Sequence, residues 1–426
     1  MAFRGGRGGR GGRGSGRVGY GGGGQFFYGY AEDLKSCVRN CDGDTLASFF
    51  SLTRSPHQLL LEMGNRNIEN ECWKVLGEMS DIAEVYILLL QGAVLLSQGN
   101  ALDAYKQQTT LLTKFMDVMK EQDFPWMMQT LHRIVEDTRT VAIEADKEVA
   151  RTKGHSDNDN LRDCERLLKL AFTFCVTDRK SIRDQESKKS GFLHIVVVLF
   201  KTYFQLNTLR LCKNIIKSIT RPGFVGEEDC FAKSDLVTYK YYVGRLYMFE
   251  DNYAEAEAAL SWSLRHCHAR NPANKVRVLN YLVPVKLARG RLPTPALLRR
   301  YGLAHFEGLV GALRRGDLRG FNRALDAHQA LFIAHGTYLI LEKLKVLVYR
   351  NLFKKIHLLL GKHQIQLAYF ARALRWLEVP MEMDEIECVL ANLIYKGFLK
   401  GYISHTSKVL VLSKKGDAFP FSAIVQ

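Results

Sequence analysis

Thr337-Tyr-Leu-Ile-Leu-Glu-Lys-Leu-Lys-Val-Leu-Val-Tyr-Arg-Asn-Leu-Phe-Lys-Lys-Ile-His-Leu-Leu-Leu360 opens the stretch that decides the fold. Leu341, Leu344, Val348, Leu352, Ile356 and Leu359 recur every three or four residues, the period of one buried helix face, which predicts a helix over Tyr338–Leu360. Lys343, Lys345, Arg350, Lys354 and Lys355 fall among them and give that helix a cationic outer surface. A second helix is predicted over Ile365–Leu377. It stops at Glu378-Val-Pro380 because the residue before a proline avoids helical geometry. Asp384, with Glu387 three residues on, has the form of a capping box. Behind it runs an apolar stripe, Ile386, Val389, Leu390, Leu393 and Ile394, ended by Gly397. Leu399–Ser404 and Lys408–Ser413 read as two strands around His405-Thr-Ser407. Three helices followed by a hairpin is the order of a winged helix, here occupying residues 337–426.

Upstream of it, from Gln25 to Gly336, helix follows helix. A polar residue four positions before a small or apolar one marks restarts at Asp44/Ser48, Asn100/Ala104, Asn207/Leu211, Asn252/Ala256 and Asp317/Phe321. Gly244, Tyr247, Ala256 and Leu260 fall at tetratricopeptide-repeat spacing, and Gly92 and Ala104 repeat the Gly-to-Ala interval of twelve. The intervals between turns are irregular. The prediction is therefore an all-α chain, a degenerate tetratricopeptide-like solenoid in which each helix pair needs its neighbours to bury its apolar face. The polar run Arg151–Asn160 divides it into N-terminal repeats (25–155) and central repeats (156–336). Further loops are expected at Arg221–Ser234 and at Arg291-Leu-Pro-Thr-Pro295. Residues 1–24 are almost entirely Gly and Arg with no acid before Glu32, a composition that cannot bury a core and predicts disorder.

Composition narrows the functional classes. Hydrophobic residues make up 47% of the 426, enough for a large folded body. Val85–Leu96 and Phe192–Phe200, the most apolar runs, fall short of the roughly 18 residues a membrane span needs, so no membrane role is expected. There is no apolar leader near the N-terminus of the kind a secretory signal requires. The nine cysteines are scattered, which fits reduced thiols. His266-Cys-His268 cannot converge on a metal from a helix, where consecutive side chains diverge by about 100°. Cys37 and Cys41 lack a second pair at zinc-ligand spacing. His-Glu-x-x-His, Gly-x-Ser-x-Gly and the phosphate-binding loop are all missing, so neither catalytic residues, a metal nor a cofactor is expected.

The net charge of +16 is the informative quantity, and it points to a polyanionic partner. Arg4, Arg7 and Arg10 stand in Arg-Gly-Gly triplets, followed by Arg13-Gly, a tract of the kind that binds RNA by charge and stacking with little sequence preference. In the winged helix the third helix is expected to expose Glu385, Glu387, Cys388, Asn392 and Lys396, a mixed face poorly suited to reading bases. Cations come instead from Lys354, Lys355 and Lys362 before it, and from Lys400, Lys408, Lys414 and Lys415 around the wing. These would hold phosphates without reading sequence. Between Lys286 and Arg323 nine Lys or Arg stand against two acids.

Helical repeats running into a C-terminal winged helix resemble the PCI family, shared by scaffolds of the proteasome lid, the signalosome and an initiation factor. The motifs Val237-Thr-Tyr-Lys-Tyr-Tyr-Val-Gly-Arg245, Ile340-Leu-Glu-Lys-Leu-Lys345, Tyr349-Arg-Asn-Leu-Phe-Lys-Lys355, Ala391-Asn-Leu-Ile-Tyr395 and Lys400-Gly-Tyr-Ile-Ser-His405 carry the resemblance, which covers the chain from Ser36 onward. They are similar to the branch of that family serving the nuclear-pore-associated transcription-and-export complex. The resemblance implies a non-catalytic subunit in the nucleus and at the nuclear pore, with the cytoplasm as a second compartment. It implies two protein partners: a large PCI-containing mRNA-export scaffold, and a small acidic disordered protein shared with the proteasome lid. Paired winged helices would form a nucleic-acid platform. Arg299, Arg300, Arg314 and Arg315 are the candidates for the acidic partner. The rival reading is a scaffold of proteasome-lid or signalosome type with protein contacts alone.

Overall fold

The computed structural model describes residues 24–52, 68–122, 124–155, 157–220 and 228–420. The Arg-Gly tract with Arg4, Arg7, Arg10 and Arg13, and the loop expected at 221–234 as far as residue 227, lie outside them. The chain divides into two compact units, Met1–Val198 and Leu199–Gln426. Both are helical, and the only three-stranded sheet among the described residues belongs to the second.

In the first unit the long helices are Ser80–Ser97, Ala101–Lys120, Met128–Lys153 and Asp159–Val176. A helix start leaves four backbone N–H groups without partners. At Ala101 three are satisfied: Asn100 accepts from Asp103 N at 3.1 Å, and Glu148, arriving from another helix, accepts from Ala101 and Leu102 at 2.6 and 3.0 Å. A Cβ on Gly92 would meet Gln107 Cβ at 3.8 Å and Ala104 O at 4.0 Å, ordinary contacts, so the repeated Gly-to-Ala interval here marks a helix crossing that does not demand glycine. The run Ile68–Ser97 is continuously helical and, by length and composition alone, long enough to cross a membrane. That is longer than the sequence reading allowed, because Gly77–Met79 carries the helix through a 3-10 turn instead of ending it. Half of its most apolar window is buried inside the protein.

The expected break at Arg151–Asn160 is a short link, closed by Gly154 at φ +78 and followed directly by Asp159–Val176 in the same unit. Of the polar restarts, Asn100, Asn252 and Asp317 are N-caps. Asp42, not Asp44, caps Gly43–Phe49, and Asn207 is a left-handed turn residue at φ +55.

In the second unit Lys233–Phe249 and Tyr253–His266 pack as a pair. A Cβ on Gly244 would lie 2.5 Å from Leu260 Cγ, so the repeat-spaced glycine is what lets the two helices approach. One core then runs from Met248 through Leu282, Phe306, Phe321 and Phe332 to Leu341, Phe353, Phe370, Leu390, Leu410 and Phe419. The winged helix is continuous with the helices before it, with no separate core beyond residue 336 among the described residues.

The winged helix differs from its prediction in three places. Tyr338–Leu360 is two helices, Tyr338–Lys343 and Lys345–Leu360, because Leu344 closes i to i−3 bonds with Leu341 and Leu347. Phe353, not Leu359, then completes the buried face, and Leu359 is 86% exposed. Ile365, expected in the second helix, lies in strand β1 (Gln364–Gln366), opposite Leu410, and the helix begins at Leu367. Glu382 and Glu385, not Asp384 and Glu387, form the capping box of Met383–Tyr395. Strands β2 (Gly401–Ser404) and β3 (Val409–Leu412) form the hairpin, and the sheet order is β1-β3-β2, antiparallel throughout.

Candidate nucleic-acid interface

Residues 199–426 carry 34 Lys and Arg against 18 Asp and Glu, so the whole net charge of +16 resides in the second unit. Which of those cations face solvent unpaired depends on where the acids sit.

Several are taken. Glu257, nearly buried, holds Arg289 at 2.8 Å and Arg291 at 2.6 Å. Glu378 holds Arg319 and Arg323 at 2.6 and 3.4 Å. Asp251 holds Lys343 at 2.6 Å. Burial alone would raise the Asp251 carboxyl, but hydrogen bonds from Lys343 and Tyr253 overcome it and leave it below the usual range. Arg350, expected on the cationic outer surface, is instead buried. It donates to Phe419 O at 2.6 Å and to Asn351 Oδ1 at 2.8 Å, pinning the segment after the wing beneath the first winged-helix helix. Burial pulls its guanidinium below the ordinary value.

Among the predicted phosphate-binding residues, Lys408 turns back onto its own third helix, 2.9 Å from Glu387 and 3.4 Å from Asp384, while His405 Nδ1 lies 2.7 Å from Glu387. The side-chain hydrogen bonds from Lys408 and His405 hold the Glu387 carboxyl below its usual value. Lys396 shares a hollow with Asp251 and Lys343. Lys362, Lys400 and Lys414 are exposed around the sheet.

Lys354 and Lys355 belong to a different surface. With Arg314, Leu313, Leu347 and Leu358 they line a groove of about 310 Å³. Arg314 also lines its neighbour, a groove of about 240 Å³ shared with Pro293, Pro295, Leu298, Arg299 and Arg315. Residues assigned to two different partners thus meet at one guanidinium. Lys355 donates to Arg315 O, Lys354 sits 3.8 Å from Asp417, and Arg315 sits 3.7 Å from Asp317. The Arg300 guanidinium lies over the Tyr301 ring at 5.7 Å. Arg299 and Arg314 have no side-chain ion pair among the described residues, and the surface is an exposed cationic rim over an apolar floor. Sequence reading missed the floor. Its available signal was the Pro293-Thr-Pro295 punctuation, read as a separator and in fact a wall.

Nothing in the described residues gathers three or more His, Cys, Asp or Glu at a metal-binding distance. His266 Nδ1 donates to Trp262 O at 2.8 Å and its ring stacks on that of Trp262, and Cys267 is buried. Cys37 is buried, whereas Cys41 is exposed at φ +54, so the two do not share a face. Burial pushes the Cys164 and Cys175 thiols up to about 12, far from the range of a reactive thiolate.

The PCI domain family model matches residues 325–414, the span from the helix before the winged helix to the end of the wing. A PCI domain-containing protein 2 of Xenopus laevis is 36% identical over 93% of this chain and 98% of its own length. Enhanced ethylene response protein 5 of Arabidopsis thaliana is 34% identical over 92% of this chain and 94% of its own. A Protein CSN12 homolog of Mycosarcoma maydis is 33% identical over 76% and 75%. A helical solenoid closing on a winged helix, a PCI match on that winged helix and near-full-length relatives all agree: the chain belongs to the PCI domain-containing protein 2 family of PCI scaffolds.

Proposed function

We propose that this protein is a non-catalytic scaffold and RNA-binding subunit of a nuclear-pore-associated complex that couples transcription to mRNA export. It would pair there with a larger PCI-containing scaffold and a small acidic disordered protein. The observation that carries the reading is the placement of the whole net charge in the unit bearing the PCI domain, with Arg299, Arg314, Arg315 and Lys355 exposed at the rim of adjoining grooves. Phosphates need exposed cations and no particular bases. The apolar floor of the same grooves supports the second reading, a scaffold with protein contacts alone.

The test separates these readings. Changing Lys354, Lys355, Lys362 and Lys400 to Gln, all at solvent-accessible positions, leaves folding intact. It lowers RNA affinity about equally for two unrelated RNAs and flattens the salt dependence by about 0.7 per lost phosphate contact. Reversing Arg299, Arg300, Arg314 and Arg315 to Glu abolishes co-purification of the acidic partner. Unchanged RNA affinity in the first variant favours the pure scaffold. A loss confined to one RNA sequence indicates base readout.

A further inference from the structure

The second winged-helix helix, Leu367–Trp376, carries a feature that the cationic grooves do not explain. Its inner face is apolar, with Leu367, Phe370 and Leu374 buried. Its outer face presents Trp376 at 75% exposure and Tyr369 at 41%, with Arg372 and Arg375 exposed between them. Large aromatic residues exposed this far on a polar surface call for a partner. At 100° per residue, Tyr369, Arg372 and Trp376 fall within one 60° stripe, in the order aromatic, guanidinium, aromatic. The two rings are seven residues apart, about 10 Å along the axis. That exceeds the 4.5–7 Å at which aromatic rings pair with each other, so each keeps a face for something else. Among the described residues no side-chain hydrogen bond, ion pair or ring contact involves any of the four.

The neighbourhood is cationic. The acid nearest in sequence, Glu378, already faces two guanidiniums, Arg319 and Arg323, which brings further positive charge to the end of the same helix. Exposed rings spaced by arginines are the arrangement by which proteins hold unpaired bases: rings stack, guanidiniums meet phosphates, and no base identity is required. A duplex hides its base faces and offers such a stripe only phosphates.

We propose that Tyr369, Arg372, Arg375 and Trp376 form a stacking site for single-stranded RNA on the second winged-helix helix, distinct from the third helix and the wing. The inference rests on the RNA-binding reading above and assigns it a site and a strandedness. The test uses the full chain, a twelve-nucleotide oligouridylate and an RNA duplex of the same length, titrated at several salt concentrations. Each of Tyr369→Ala and Trp376→Ala lowers single-strand affinity by about tenfold, leaves the salt slope in place and leaves duplex binding unmoved. The pair Arg372→Gln and Arg375→Gln lowers the salt slope by about 1.4. All four side chains are exposed, and unchanged melting confirms that each variant folds. Wild-type single-strand affinity in all variants overturns this site while leaving RNA binding by the chain intact. A wild-type chain that binds neither RNA at low salt overturns both readings. If the aromatic variants instead lose a glutamate-rich peptide while RNA affinity is unmoved, the stripe is a protein-docking face and the proposal is wrong.

Discussion

In residues 24–198, 26 Asp and Glu stand against 21 Lys and Arg, whereas residues 199–426 carry 18 against 34. In the first unit several buried carboxylates serve the backbone, beside others that pair with lysine or arginine. Glu148 closes the start of Ala101–Lys120, and Asp146, almost buried, accepts from Asn160 N at 3.2 Å and Leu161 N at 3.0 Å at the start of the next helix. Asp137, 5% exposed, accepts from Leu52 N at 3.1 Å. The second unit sets its fewer carboxylates against cations: Glu257, Glu378, Asp251 and Glu387 each face one or two. What remains unpaired there among the described residues is mostly positive and exposed. Net charge becomes informative about partners only after the charges engaged inside the fold have been removed from the count.

The largest expected effect tests whether the second unit is one body. Leu393 is fully buried in the core that runs from Met248 to Phe419. Leu393→Ala leaves a cavity and costs about 2–5 kcal/mol. Because that core is continuous, the loss appears in the unfolding of Tyr253–His266 as well as the winged helix. Amide exchange across Tyr253–His266 and across residues 345–412 follows the two regions separately. Two separate transitions, with only the winged helix shifted, would break the unit at the boundary expected from sequence.

A buried acid gives the second test, and its shift is opposite in sign to that of Asp251 in the second unit. Burial pushes the Asp137 carboxyl up to about 6, partly offset by the Leu52 N–H and Arg133. Between about pH 4 and 6 the folded chain therefore holds a proton that the unfolded chain has released. Its contribution favours folding at the acid end and is lost as the pH rises through about 6. At about 1.4 kcal/mol per pH unit the effect is on the order of 2–3 kcal/mol. Asp137→Asn keeps an acceptor for Leu52 and removes the titration. Denaturant unfolding of both forms from pH 4 to 7 should give a difference curve that slopes through this window, and a flat curve refutes the assignment. Asp251 works the other way: its carboxyl is depressed, so its contribution is present at neutral pH and lost on acidification.

Much of this was legible from the chain, and the misses share a cause. The winged-helix order, the Gly397 stop at φ +71 and the Gly244–Leu260 contact all rest on local period or short spacing, and all were readable. Strand β1 was not, because three residues with one buried side chain look the same as a helix entry, and their partner strand lies 45 residues further on. Arg350 was misplaced for a similar reason. It falls on a cationic helix, and only the return of Phe419 beneath it makes that position interior. The candidate cations were found by type, but most of their pairing was set by contacts 21 to 63 residues apart, as in Lys408–Glu387 and Lys354–Asp417. No window of sequence contains those.

The smallest effect bears on whether the second unit's acids restrain its cations. Glu387 lies under the wing with 14% of its side chain exposed, and both Lys408 and His405 converge on it. Glu387→Gln removes the charge and keeps the shape. An ion pair this close to solvent contributes little to folding, because water and salt already screen it, so the melting temperature should hardly move. The wing is another matter. Lys408 loses its strongest counter-charge and gains freedom to meet a phosphate, which adds about 0.7 to the single-strand salt slope and raises RNA affinity on the order of twofold to threefold at low salt. The gain should vanish when Lys408→Gln is combined with Glu387→Gln, since the same cation must carry it. A gain that survives the double change would come from the general loss of one negative charge and not from Lys408. No gain at all would mean that the wing lies away from the RNA, leaving binding to the grooves and the aromatic stripe.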